Sequence, residues 1–186
     1  YFQLEDAVNV TTATNTGTAG VSYSGMYVQP LERAVEGPFV GAANYGVRFN
    51  GGAITTATGV VIDATTQISL EAWVQAPKTA EGGILSHYTA PQGGVALYIE
   101  NNHYAFRTRF VSGPATTSIL NSQISPTGAD YDHVVGIFDG QSIGARIYVN
   151  NVLANSVGLF TAPSMPTVMR SGLLIISITI FLLWFG

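Results

Sequence analysis

Apolar and polar residues alternate with a period of two along most of the chain, which is the pattern of half-buried β-strands. Turn-forming Asn, Gly and Pro residues separate the alternating runs at intervals of about ten residues. We therefore predict an all-β fold, an antiparallel β-sandwich. The alternating runs are residues 68–74, 94–100, 103–111, 133–138, 145–149 and 152–156, and the expected core contains Phe49, Trp73, Leu97, Phe106, Ile137 and Val149.

Short turn sequences predict how neighbouring runs are connected. Asn101-Asn102 predicts a tight hairpin between the runs on either side of it, because Asn tolerates positive φ. Asn50-Gly51-Gly52 predicts a second hairpin between residues 46–49 and 53–56. Residues 31–36, which lie between Pro30 and Gly37-Pro38, are predicted to form a single turn of helix.

The last sixteen positions differ from the rest, because residues 171–186 carry no charge and are rich in large aliphatic side chains. Ser177 and Thr179 alternate with isoleucines, which favours a strand. We predict a sandwich domain over residues 1–170 and a final core strand within 171–186, extended from about residue 173 to 181. The alternative is a truncated membrane anchor, although a run of roughly fifteen residues is shorter than a membrane span requires.

Composition restricts the class of protein. The chain of 186 residues has no cysteine, which removes disulfides and thiolate metal sites. Charged residues make up 10% of the chain and the net charge is −4. We therefore expect no nucleic-acid partner, since such a partner requires a basic surface. The profile is typical of an extracellular β-rich domain, and membrane association is expected only if the C-terminal segment is an anchor.

Five short motifs occur along the chain in a characteristic order: Tyr1–Glu5, Val47-Arg48-Phe49-Asn50-Gly51, Ser69–Val74, His133–Gly140 and Arg146–Leu153. Their order is similar to that of the laminin-G-like (concanavalin A-like) lectin-glucanase family with its jelly-roll sandwich. The resemblance extends over nearly the whole chain, and it implies this sandwich fold and a role in recognition.

The resemblance also suggests two kinds of site to look for. Glucanase relatives carry two glutamates and an aspartate on one strand, whereas Glu32 and Glu36 lack the middle aspartate and are expected outside any strand. No catalytic residues are therefore assigned, and we expect a protein that is not an enzyme. Some relatives bind calcium at a loop rim, for which Asp130, Asp132 and Asp139 are weak candidates. No cofactor is expected to be required, and His133 is expected to pack or cap a strand.

A ligand-binding hypothesis comes from the hairpin around Asn101-Asn102. Pairing across this turn places five polar or aromatic residues on the face that points away from the core. Arginine forks and a tyrosine ring suit the recognition of sugars or proteins. An ordinary solvated face with cross-strand ion pairs is the alternative. The five candidate residues are Tyr98, Glu100, His103, Arg107 and Arg109.

Three functions remain open. The first is a non-enzymatic recognition or adhesion module, extracellular or on a cell or virion surface, that binds a glycan or a surface protein. The second is a structural subunit or decoration domain of a virion, filament or surface layer, which would contact copies of itself or other subunits. The third, disfavoured by the missing carboxylates, is a divergent glycoside hydrolase.

Overall fold

The computed structural model describes residues 4–17, 21, 24–39, 45–56, 67–89, 93–110, 116–139, 144–158 and 174–177. Within these ranges it contains fourteen β-strands and no α-helix. The strands are β1 Thr12–Ala13, β2 Gly25–Val28, β3 Leu31–Glu36, β4 Tyr45–Phe49, β5 Ala53–Thr56, β6 Ile68–Val74, β7 Gly82–Thr89, β8 Gly93–Glu100, β9 His103–Phe110, β10 Thr116–Asn121, β11 Asp132–Phe138, β12 Gly144–Val149, β13 Val152–Gly158 and β14 Leu174–Ser177.

Two large sheets form the main body of the fold. A five-stranded sheet has the order β13-β12-β11-β6-β14, and a four-stranded sheet has the order β10-β9-β8-β7. The two sheets pack face to face, and Gly136 on β11 lies directly against the ring of Phe106 on β9. Smaller sheets, β1-β2-β5 and β3-β4, complete the described part. The predicted all-β sandwich is thereby confirmed.

Most of the core lies between the two large sheets, and the inner strands of these sheets direct alternate side chains into it. The residues of β6 at positions 68, 70, 72 and 74 are fully buried, and Phe49, Leu97, Phe106 and Val149 are buried as predicted. The prediction was wrong for Trp73 and Ile137, which are only partly buried and point away from the core. Each of them lies between two residues that face the core, so its own side chain points to the outer face of the sheet.

The segment from β2 to β5 forms one long ribbon that bends in its middle. β2 pairs with β5 and β3 pairs with β4, so the predicted hairpin at Asn50-Gly51-Gly52 is wrong. These three residues instead form the bend, where the backbone N–H of Asn50 donates a hydrogen bond to the carbonyl oxygen of Pro30 (3.3 Å). A Cβ atom on Gly52 would lie 2.8 Å from the Pro30 carbonyl carbon, so the bend requires glycine at this position.

The predicted helical turn at residues 31–36 is also wrong, because this segment is strand β3. Leu31 pairs with Phe49 and Glu36 pairs with Tyr45, with a bulge at Ala34, whose φ is 58°. Leucine, glutamate and alanine are good helix formers. Six residues are nevertheless too short to hold a helix in isolation, so pairing with β4 decides the conformation.

The hairpin of β8 and β9 confirms the predicted register. Glu100 pairs with His103, Tyr98 with Ala105 and Ala96 with Arg107. Asn101 and Asn102 have φ angles of 52° and 61°, which are the values that a type I′ turn requires.

Of the C-terminal segment, the structure describes only residues 174–177. They form β14, which runs parallel to β6, with Leu174 beside Ile68 and Ser177 beside Glu71. The remaining residues of 171–186 lie outside the described part, and the division at residue 170 stays a prediction. Among the described residues, no helix has the length and apolar character that a membrane crossing requires.

Candidate functional site

The five predicted ligand-binding residues lie together on the outer face of the β8–β9 hairpin, and we call this face the hairpin patch. The guanidinium carbon of Arg107 lies 4.9 Å from the centre of the Tyr98 ring. The nearest guanidinium nitrogen lies 3.9 Å from Glu100 Oε1, and the Tyr98 hydroxyl donates to Glu100 Oε2 across 3.4 Å. These contacts place the Arg107 cation beside both the Tyr98 ring and the Glu100 carboxylate.

The patch remains accessible to solvent. About two fifths of the Arg107 and Glu100 side chains are exposed, at 40% and 39% respectively. His103 lies directly across from Glu100, and the exposed Arg109 lies two residues beyond Arg107 on the same face. Partial burial raises the pKa of Tyr98, Arg107 opposes this rise and Glu100 adds to it. The structure therefore brings all five residues together, and their role in binding stays a prediction.

A second cluster lies on the outer face of the five-stranded sheet, where the sequence analysis placed no site. Trp73 on β6 and His133 on β11 form a cross-strand pair whose rings stack with their centres 4.6 Å apart and a tilt of 23°. His133 Nε2 and Glu71 Oε1 share a hydrogen bond of 2.8 Å. The ring of Phe39 meets Trp73 edge to face, with centres 5.2 Å apart. We call these four residues the Trp73 cluster.

The β3–β4 ribbon supplies Phe39 to this cluster from the segment after β3. The hydroxyl of Tyr131 donates a 2.6 Å hydrogen bond to the carbonyl oxygen of Glu36, three residues before Phe39. Burial raises the pKa of Tyr131, which keeps this hydroxyl protonated as a donor. Phe39 itself is 48% exposed. The alternation along β6 is the sequence signal that could have revealed part of this cluster. Leu70, Ala72 and Val74 occupy the core-facing positions, so Glu71 and Trp73 between them point outward.

The three calcium candidates do not form a ligand set in the described part of the chain. Asp132 is 1% exposed, and it accepts hydrogen bonds from the Tyr104 hydroxyl (2.9 Å), the Thr127 amide (2.9 Å) and Asn150 Nδ2 (2.8 Å). Asp139 is paired with Arg146, and Asp130 is exposed. Among the described residues, no three histidine or carboxylate side chains come close enough to hold a metal ion.

The two glutamates with glucanase-like spacing were predicted to lie outside any strand, and that placement is wrong. Both lie on β3, and Glu32 forms an ion pair of 2.6 Å with Arg48. Their separation along β3 includes the bulge at Ala34, which interrupts the alternation that would align them on one face.

The family relationship rests on a direct comparison of the chain with models of known families. The model described as the concanavalin A-like lectin/glucanases superfamily matches residues 49–176, more than half of the chain. The chain belongs to this superfamily. At this level, membership supports a lectin-like module that binds carbohydrate or protein. The matched region of the superfamily member contains the whole hairpin patch and all of the Trp73 cluster except Phe39. No curated protein matches the chain significantly.

Proposed function

We propose that this chain is a non-enzymatic recognition or adhesion module, extracellular or on a cell or virion surface, which binds a glycan or a surface protein through the hairpin patch. The observation that carries the proposal is the position of Arg107 above the Tyr98 ring and beside Glu100. Because these groups already contact one another, a ligand does not have to order them, and less conformational entropy is lost on binding.

The chemistry of the patch supports this role. Tyrosine and arginine are the residues most often found where binding energy concentrates, and arginine donors fit carboxylates and other planar acceptors in pairs. The Arg107 side chain is 40% exposed, and its contact with Glu100, at 3.9 Å, is longer than a hydrogen bond. The solvent-facing end of the guanidinium therefore retains donors that a bound hydroxyl, carboxylate or peptide carbonyl can use.

Binding to a glycan array and to intact cells tests the proposal. We expect Arg107→Gln to reduce binding by about tenfold or more, as loss of a contact that contributes about 1.4 kcal/mol would do. Lys78→Gln is the matched control, since it removes one exposed cation from the loop between β6 and β7, which is not part of the hairpin patch. Equal binding by the Arg107→Gln and Lys78→Gln proteins would contradict the proposed site. Hydrolysis of β-glucans by the wild-type protein would contradict the non-enzymatic part.

A structural subunit is the second candidate, and one observation favours it. β10 and β13 are neighbouring strands at one side of the sandwich, since Asn155 Nδ2 donates to the carbonyl oxygen of Asn121 (2.8 Å). Both strands lack charged residues, and Ile119, Val152 and Val157 are 49%, 61% and 46% exposed. β10 and β13 are the end strands of the two large sheets as far as the structure describes them, and uncharged end strands favour association. Light scattering separates the two candidates, because a recognition module is expected to be monomeric and a subunit is expected to assemble.

A further inference from the structure

We propose that the Trp73 cluster is a second binding site, and that it takes a neutral sugar ring. Its position makes it independent of the hairpin patch. The inner faces of the two large sheets pack against each other, with Gly136 on Phe106, so their outer faces point in opposite directions. The hairpin patch occupies one outer face and the Trp73 cluster occupies the other.

Aromatic rings form one half of this second site. Stacked and edge-to-face pairs fix the rings of His133, Trp73 and Phe39 in a continuous aromatic group. Phe39 is 48% exposed, so it offers accessible apolar surface. The apolar C–H face of a pyranose packs on such a ring, and the edge-to-face contact with Trp73 supports the Phe39 ring.

A carboxylate forms the other half. Glu71 is two residues before Trp73 on β6, which places their side chains on the same face about 7 Å apart. The Glu71 side chain is 36% exposed, and the contact with His133 engages only Oε1. Oε2 can therefore accept hydrogen bonds from sugar hydroxyls, which are short and strong when the acceptor is charged.

The charge at this face selects the class of sugar. The acceptor is an anion, and the nearby His133 is already paired with it, so a sulfated or carboxylated sugar would be repelled. A neutral pyranose supplies both the hydroxyl donors and the C–H face that the cluster lacks. The hairpin patch presents two arginines, so the two faces differ in the ligands that they favour.

Trp73 also provides the means of detection, because the chain has only two tryptophans and the other is Trp184. A Trp184→Phe background leaves Trp73 as the only indole. We expect neutral oligosaccharides from a panel of hexose, pentose and N-acetylhexosamine probes to change Trp73 emission. Phe39→Ala and Glu71→Gln are each expected to weaken this binding at least tenfold. Tyr45→Ala is the matched control, because it removes an aromatic ring that is 45% exposed on the same ribbon.

The outcomes distinguish this inference from the proposed function. Binding that depends on Phe39 and Glu71 but not on Arg107 supports the second site alone, and binding that depends only on Arg107 overturns it. Absence of binding to every neutral probe also overturns it. An unchanged circular dichroism spectrum and melting temperature for Phe39→Ala and Glu71→Gln establish that lost binding is not lost folding. If both sites function, the monomer is expected to bridge two glycan-coated beads, and either Phe39→Ala or Arg107→Gln abolishes bridging.

Discussion

Replacement of Asp132 by alanine is expected to be among the most destabilising changes in the chain. Its carboxylate is 1% exposed, and it connects three parts of the fold that are distant in sequence: Tyr104 on β9, Thr127 in the loop before β11, and Asn150 in the turn after β12. Removing the carboxylate leaves three donors without their acceptor.

The magnitude depends on which donors water can reach. Tyr104 is fully buried, so its hydroxyl loses its partner without gaining water, which costs about 1–3 kcal/mol. The Thr127 amide and the Asn150 side chain are only partly buried, and each bond to a charged acceptor contributes about 1 kcal/mol or somewhat more. The sum is about 4 kcal/mol, which lowers the melting temperature of a domain of this size by roughly 8–16 °C.

A double-mutant cycle in urea tests this network. Tyr104→Phe alone is expected to cost about 1–2 kcal/mol, and after Asp132→Ala it is expected to cost nothing or to recover part of the lost stability, because it then removes a buried hydroxyl that has no acceptor. Asp130→Ala, which removes an exposed carboxylate two residues away, is the control and is expected to stay within about 0.5 kcal/mol of wild type. Strictly additive costs, or a loss below about 1 kcal/mol for Asp132→Ala, would refute the reasoning.

Gly136→Ala is expected to destabilise the domain by about 1–3 kcal/mol, because the added Cβ would lie 2.7 Å from a ring carbon of Phe106. An unchanged midpoint of urea unfolding would contradict the face-to-face packing of the two sheets. Gly52→Ala is expected to destabilise the bend of the ribbon, whereas Gly83→Ala has open space around it and serves as the control in the same thermal melts. Burial raises the pKa of Tyr104, so above pH of about 10 the unfolded chain releases a proton that the native state retains, and stability falls as the pH rises. Tyr104→Phe is expected to make this alkaline loss shallower, and an identical pH profile for both proteins would show that Tyr104 does not cause it.

The predictions from the sequence were correct where contacts between residues close together in the chain determine the structure. The β8–β9 hairpin depends on Asn101-Asn102 and on two adjacent alternating runs, so its register could be counted from the turn. Failures occurred where distant pairing decides the conformation. Glu32 and its neighbours have high helix propensity. They form a strand because they pair with β4, which follows later in the chain. Gly82–Thr89 and Thr116–Asn121 were not predicted as strands because glycine, serine and threonine weaken the apolar alternation.

The same contrast between local contacts and pairing of distant segments applies to the candidate sites. The hairpin patch could be predicted because all five residues belong to one hairpin. The Trp73 cluster could not, because its members come from β6, β11 and the segment after β3, and their proximity requires the pairing of β6 with β11. Asp132 was misjudged for a related reason. Its sequence neighbours suggest a loop carboxylate, but as the first residue of β11 it points into the core.

The bent ribbon has a consequence for any attempt to produce a minimal fragment. The superfamily match begins at Phe49, within the ribbon, but β5 after it pairs with β2 before it. A fragment from residue 49 would leave β5 with an open edge and remove Leu4, Tyr27 and Val47 from the core. Such a fragment contains every matched residue and still lacks part of its own interior. The unit that folds is therefore larger than the unit that sequence comparison delimits.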